Sequence, residues 1–427
     1  MHFQAHIRTI QKGTIKYTLL DFFKDESSLL LLDGNTSNGD SFDWLIAAGV
    51  VDEISVGEHN AFEELQQFYQ KHQDWIFGSF CYDLKNGLEK QLESNHLDGI
   101  QAPALHFFLP KYLFVFKENQ LAVHHHESQE EFNVEILSSV FESSNVGFNS
   151  SIKYRVDKQN YIANVNLIKA HIKRGDIYEM NYCQEFYAEN SKLNPLEVFR
   201  KLNTISKAPF SCFYKLGEIY LLSASPERFI KKVGSSIISQ PIKGTRKRGE
   251  CVLEDERLKM ELFDDEKERA ENVMIVDLVR NDLSRIAEKN TVKVDELFGV
   301  YTFDQVHQMI STISCKVKAQ KTILDILQAT FPMGSMTGAP KIRAMKLIEK
   351  FEQTKRGLYS GAIGYINPEG DFDFNVVIRS IQYNASKMYL SFMVGSAITI
   401  GSDAELEYQE CIVKAKALFE VLEGKNV

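Results

Sequence analysis

Beyond Tyr154 the chain sets out helices and strands in blocks, and that ordering limits the fold more than any other feature. Helical periodicity covers 157–174, 254–289, 322–330, 340–353 and 403–423. Between these segments lie β-rich stretches at 219–231, 360–367, 374–383 and 387–400. There is no regular β-α alternation, and no Gly-rich nucleotide turn follows a first strand. A doubly wound sheet is therefore excluded, and an α+β architecture with a largely antiparallel sheet is expected. Residues 1–150 read differently from 151–427. They hold short β-like runs (Leu29–Leu32, Tyr112–Phe116, Leu121–His124), a helical stretch at Ala61–His72, and a polar, Ser/Asn-rich segment at 127–151 that reads as a surface connection. No internal repeat is present.

Composition narrows the function classes. Apolar residues make up 44% and charged residues 25% of 427, as in ordinary soluble globular proteins, and the net charge is −9. A net acidic chain is a poor general binder of nucleic acid. Apolar runs such as Leu29–Leu32 fall far short of the roughly 18 residues that cross a bilayer. The start, MHFQAHIRTIQKG, lacks the basic-then-apolar form of a signal peptide, so a cytoplasmic protein is expected. Six dispersed cysteines form no C-x-x-C pair and no nucleophile elbow, and each is expected to be a buried filler. The triplet His124–His126 alternates between strand faces, so a solvated strand end is expected in place of a metal site.

Four constellations carry chemistry. Glu268 and Glu271 share one face of a helix over 264–287, either as an acidic first turn on the helix dipole or as ligands. Glu407 and Glu410 repeat the spacing over 404–424, with Lys414 one turn on and Gly424 closing the helix. An ordinary Glu–Lys surface pair explains that arrangement equally well. Two helices with a carboxylate pair each also supply what Mg²⁺ needs, with water and an anionic substrate completing the shell. PIKGTRKRG (241–249) puts Lys243 on a tight turn within a cationic island suited to a small anion. TFPMGSMTGAPK (330–341) is a glycine turn with Pro340 at the first position of a helix, fit for a carboxylate or for a plain cap.

Together these motifs resemble the large subunit of the chorismate-utilising enzymes, among them anthranilate, aminodeoxychorismate, isochorismate and salicylate synthases. The resemblance runs in family order through GDIYEMNYCQEF (175–186), SASPERF (223–229), PIKGTRKRG, the 264–287 helix, FPMGSMTGAPKIRAM, RGLYSGAIGYI (356–366), VVIRS (376–380) and VGSAITIGSDAELEYQECIVKAKA (394–417). GSFCYDL (78–84) is a weaker match near the N-terminus. It implies a large α+β sandwich of antiparallel sheets with the active site in a cleft. By position Glu271 and Glu410 match magnesium ligands, with Glu268 and Glu407 beside them. Gly244, Thr245, Thr337, Tyr359, Arg379, Gly395, Ser396, Ala397 and Lys414 match groups that hold substrate, and His307 matches a histidine lining the ring site.

The resemblance also bears on the reaction. Anthranilate synthases typically carry PIAGT where aminodeoxychorismate synthases often carry PIKGT, as here. An amine at Lys243 would attack C2 of chorismate and expel the C4 hydroxyl, with Glu227 of SPERF as general acid, and ammonia would then displace it from C4. Such an amine must be uncharged, and the neighbouring cations with partial burial are expected to lower its pKa. Gln184 stands where isochorismate and salicylate synthases are taken to place a water-activating lysine, which disfavours water addition. LLLLDGN (29–35) replaces the L-L-E-S stretch of a tryptophan pocket, so tryptophan inhibition is not expected. The expected activity is Mg²⁺-dependent conversion of chorismate and ammonia to 4-amino-4-deoxychorismate. The alternatives are anthranilate formation or chorismate binding without turnover, and the presence of both an acid and a nucleophile argues against the latter. A separate glutamine amidotransferase subunit is expected, because ammonia is mostly protonated at neutral pH and no elbow cysteine is present.

Overall fold

The computed structural model describes residues 4–35, 42–133, 144–304 and 306–424 apart from 10–14, with backbone alone at 4–9. Twenty strands among them join into one hydrogen-bonded network whose ladders are all antiparallel. Two long strands, Trp44–Val56 and Leu105–Lys117, pair along their length and carry the sheet into two arms. One arm runs through Ser28–Asp33, Phe210–Leu216, Ile219–Ser225, Ser380–Asn384 and Tyr389–Ile398 to Glu179–Ala188. The other runs through Ile76–Phe80, Ala362–Ile366, Phe372–Val376, Arg228–Val233 and Ser236–Gln240 to Val306–Lys316, which also pairs with Ile242–Lys247 and Lys293–Thr302.

The α+β sandwich of antiparallel sheets is thus as expected, and its layering explains the leucine run. Leu30 and Leu32 enter the core between the two arms, beside Phe77, Phe108 and Ile363. Leu29 and Leu31 face the other way, into a core under the helices Lys158–Lys173, Pro195–Ser206, Lys341–Phe351 and Ala404–Glu423. A strand covered on both faces needs apolar residues at every position. A third core packs Ala61–His72, Glu266–Ser284 and Ile323–Thr330 against the second arm.

Several boundaries differ from expectation. The helix over 254–289 is two helices, Val252–Asp264 and Glu266–Ser284, because Asp265 turns extended and its side chain accepts the Glu268 N–H. Pro340 caps its helix instead of opening it. The stretches 219–231 and 374–383 each break into two strands, at Pro226–Glu227 and at Arg379, whose φ is 52°. His125 and His126 are buried, which corrects the solvated reading of that triplet, and Cys251 is the one exposed cysteine. Within 127–151, residues 134–143 lie outside the described residues, while Phe132 and Val146 are buried anchors on either side. No described helix is long and apolar enough to cross a membrane.

Candidate active site

Where the two arms end, a cavity of about 470 Å³ opens between them. Several of the residues that face it sit where strands are interrupted. Ile242–Lys247 slips register against Val306–Lys316 between Ile242 and Thr245, so Lys243 and Gly244 form a bulge, correcting the tight turn expected there. Gly244 has φ +89°, and a Cβ on it would lie 2.9 Å from Leu262 Cδ1 and 3.3 Å from Glu268 Cβ. Glycine alone suits both the conformation and the space. Freed from the ladder, Lys243 reaches inward and its Nζ donates to Glu179 Oε1 at 2.9 Å.

The charge state of that amine is opposite to expectation. Burial pushes the Lys243 pKa down, but Glu179, Glu271 and Glu227 outweigh it and hold the ammonium well above its ordinary value. The cations meant to depress it are engaged elsewhere: Arg246 pairs with Asp265 at 2.5 Å and Arg248 forks onto Asp255 at 2.7 Å. Glu227, in the break between two strands, is lifted by burial to about 7 despite a 2.6 Å hydrogen bond from Ser335 Oγ. It is a carboxyl able to give a proton near neutrality.

Four carboxylates also line the cavity, Glu268 and Glu271 from Glu266–Ser284 and Glu407 and Glu410 from Ala404–Glu423. Burial raises Glu271 to about 7, with Glu179 and Glu268 adding to the effect against Lys243. Glu268 is raised by burial and by Glu410. Burial pushes Glu410 up as well, but the Lys414 ammonium at 2.5 Å overrules it and keeps it low. Lys267 lies 3.2 Å from Glu407 and 3.8 Å from Glu271. Glu271 Oε1 and Glu179 Oε2 are buried without a hydrogen-bond partner. No group of three or more His, Cys, Asp or Glu among the described residues is gathered closely enough to hold a metal as the side chains stand. Even so, an oxygen-only donor set with an orphaned buried carboxylate oxygen suits a hard divalent cation.

Of the expected substrate contacts, Gly244, Thr245, Tyr359, Arg379, Gly395, Ala397 and Lys414 line the cavity. Arg379 Nη1 donates to the Lys414 carbonyl and Lys414 Nζ to the Gly395 carbonyl, each at 3.0 Å. Three of the expected contacts do not line the cavity. Ser396 points out of the cavity and contacts Tyr161 OH at 3.3 Å, since neighbours on a strand face opposite sides. Thr337 is fully buried and donates back to Gly334 and Met333 carbonyls as a turn cap. His307 is also fully buried and is held by Asp255 and Thr302, both at 2.9 Å; its neighbour Gln308 lines the cavity instead. Gln184 is buried on the strand face away from Asn181, which does line the cavity. Glu179, on the same face as Asn181, was missed; the odd-numbered positions of 179–185 would have revealed it. LLLLDGN lies apart from this site, with Asp33 paired to Lys16 and accepting from Asn203.

An acid, an amine and four carboxylates enclosed in one cavity of an antiparallel sandwich define an enzyme for a small anionic substrate. More narrowly, the chain belongs to the chorismate binding enzymes, whose family profile matches residues 31–420. It is 34% identical over 83% of its length to an anthranilate synthase component I-like protein of Synechocystis, covering 73% of that protein. It is 39% identical over 62% of its length to aminodeoxychorismate synthase component 1 of Escherichia coli, of which it spans only 58%. Among solved structures, anthranilate synthase component I of Streptococcus pneumoniae superposes with a TM-score of 0.77 at 28% identity, over 87% of this chain and 91% of that one. The menaquinone-specific isochorismate synthase of Escherichia coli, at 16% identity and TM-score 0.78 over 99% and 95% of the two chains, shares the fold.

Proposed function

We propose that this chain is the chorismate-aminating component of an aminodeoxychorismate synthase, making 4-amino-4-deoxychorismate from chorismate and ammonia. The observation that carries the reading is an amine, Lys243, enclosed in one cavity with a carboxyl, Glu227, whose pKa is about 7. On this reading the Lys243 ammonium first passes a proton to Glu179, 2.9 Å away. The free amine bonds to C2 of the ring, the two conjugated ring double bonds shift to C1=C6 and C4=C5, and the C4 hydroxyl leaves as water with the proton of Glu227. Ammonia then bonds to C4, both double bonds return to their original places, and the C2–N bond to Lys243 breaks; the new C4 ammonium returns a proton to Glu227, and the freed lysine takes its proton back from Glu179. Chorismate and ammonia enter; aminodeoxychorismate and water leave.

Arg379, Lys414 and the Gly395–Ala397 backbone orient the substrate, with Thr245 and Tyr359 closing the wall. Glu271 and Glu410, with Glu268 and Glu407, would hold Mg²⁺, whose chemistry here is neutralisation of a substrate carboxylate. The nitrogen would come from a separate glutamine amidotransferase, in keeping with relatives named as component 1, and the setting would be cytoplasmic.

The raised pKa of Lys243 favours a second reading, in which the ammonium only pairs with carboxylates, C2 stays open to ammonia and the product is anthranilate. Incubating the chain with chorismate, ammonium and Mg²⁺ and identifying the product decides between them. Aminodeoxychorismate, with a chorismate adduct on Lys243 when ammonia is withheld, supports the first; anthranilate as main product overturns it.

A further inference from the structure

Lys267 stands among the four cavity carboxylates without a place in either reading. Its ammonium donates to Glu407 Oε1 at 3.2 Å and faces Glu271 Oε1 at 3.8 Å, so it bridges the two helices that carry the carboxylates. It lies in the first turn of Glu266–Ser284, where the helix dipole disfavours a cation and where Glu266 and Glu268 are the expected company. Its own helix therefore does not hold it there; the acidic wall does. The contact is also incomplete, since Glu271 Oε1 keeps no hydrogen-bond partner. One ammonium with three donors cannot serve two buried carboxylates as a six-coordinate ion does. Its side chain is 46% exposed, so a single swing returns the charge to water.

We infer that Lys267 is a built-in counter-ion that holds the two carboxylate helices in register without metal and is displaced when a divalent cation binds. It thereby sets the metal affinity of the site. The inference rests on the metal reading above, and it concerns a different property. The neighbouring ammonium groups are not equivalent: Lys414 is tied to Glu410 and to the Gly395 carbonyl, and Lys243 to Glu179.

The test uses Mn²⁺ as a paramagnetic probe on the full chain without substrate, with free ion read by electron paramagnetic resonance. Lys267→Met is expected to bind Mn²⁺ about tenfold more tightly than wild type, because a competing charge some 4 Å away is gone. Lys267→Arg, which keeps the charge, is expected to stay within about twofold. The metal-free thermal midpoint of Lys267→Met should fall, and added Mn²⁺ should restore it. Unchanged or weaker Mn²⁺ binding by Lys267→Met, beside saturable binding by wild type, overturns the role of the lysine and leaves the metal reading intact. No saturable binding by wild type overturns the metal reading and this inference with it.

Discussion

Two clusters of buried charge lie side by side in this protein and are built on opposite rules. Arg356, fully buried beneath the cavity, has five N–H donors and five acceptors. Glu352 takes two at 2.9 and 2.6 Å, and the Met336 carbonyl, Ser360 Oγ and the Asn181 carbonyl take the rest at 2.7, 3.2 and 3.0 Å. Glu352 also accepts the Cys183 N–H at 3.0 Å. Across the cavity wall, Glu179 Oε2, Glu271 Oε1 and Gln308 Oε1 are buried with nothing to accept from. Buried polar atoms are nearly always paired, so a saturated cluster reads as structure and an unsaturated one as a place prepared for a ligand. Substitutions should therefore separate the two.

The largest effect is expected at Glu227. Glu227→Gln should lower kcat by about 10³-fold, in the range typical of a lost general acid, without loss of fold. It should also remove a pH dependence of stability. With a folded pKa of about 7 against 4.5 for the free group, the folded chain binds more protons across that window. Stability therefore falls as pH rises from about 4.5 to 7, by up to about 3 kcal/mol from this one carboxyl. Denaturant midpoints at pH 5 and pH 7 should differ less in the variant than in wild type; an equal difference would sink the assignment.

Next is Arg356→Met, which leaves Glu352 buried and unpaired and should destabilise the chain by about 3–5 kcal/mol. Arg356→Met with Glu352→Gln should recover part of the loss. If the single variant is as stable as wild type, saturation does not mark structural groups and the comparison fails.

The smallest effect, and the one that sharpens the contrast, is at Gln308. Gln308→Leu removes an amide whose oxygen has no partner and should leave stability unchanged or raise it by up to about 1 kcal/mol, while chorismate binding weakens roughly tenfold. Calorimetric titration with chorismate beside a melting curve reads both. A loss of stability with binding intact would place Gln308 with the structural groups.

Much of this arrangement was legible in the residues because helical spacing is forgiving. The pairs Glu268–Glu271 and Glu407–Glu410 fall on one face whatever the helix ends, and 403–423 is off by one residue from Ala404–Glu423. Strands are not forgiving, since a one-residue shift moves a side chain to the other face. His307 was taken where Gln308 faces the cavity, and Ser396 was taken together with Gly395 and Ala397, of which only the latter two face it. The split at Asp265 was readable as an N-cap within Asp264-Asp265 but was hidden by the helical pattern on both sides. The protonation of Lys243 was out of reach, because it depends on Glu179, which is 64 residues away in sequence.

The bulge at Lys243–Gly244 has a consequence for how such a catalyst can change. Residue 243 lies between the register points Ile242↔Ile310 and Thr245↔Gln308, so the ladder makes no demand on the side chain there. Its head group can be exchanged while the scaffold on either side keeps its pairing. An interchangeable tool in a fixed holder lets the group presented to the cavity at this position be changed one residue at a time.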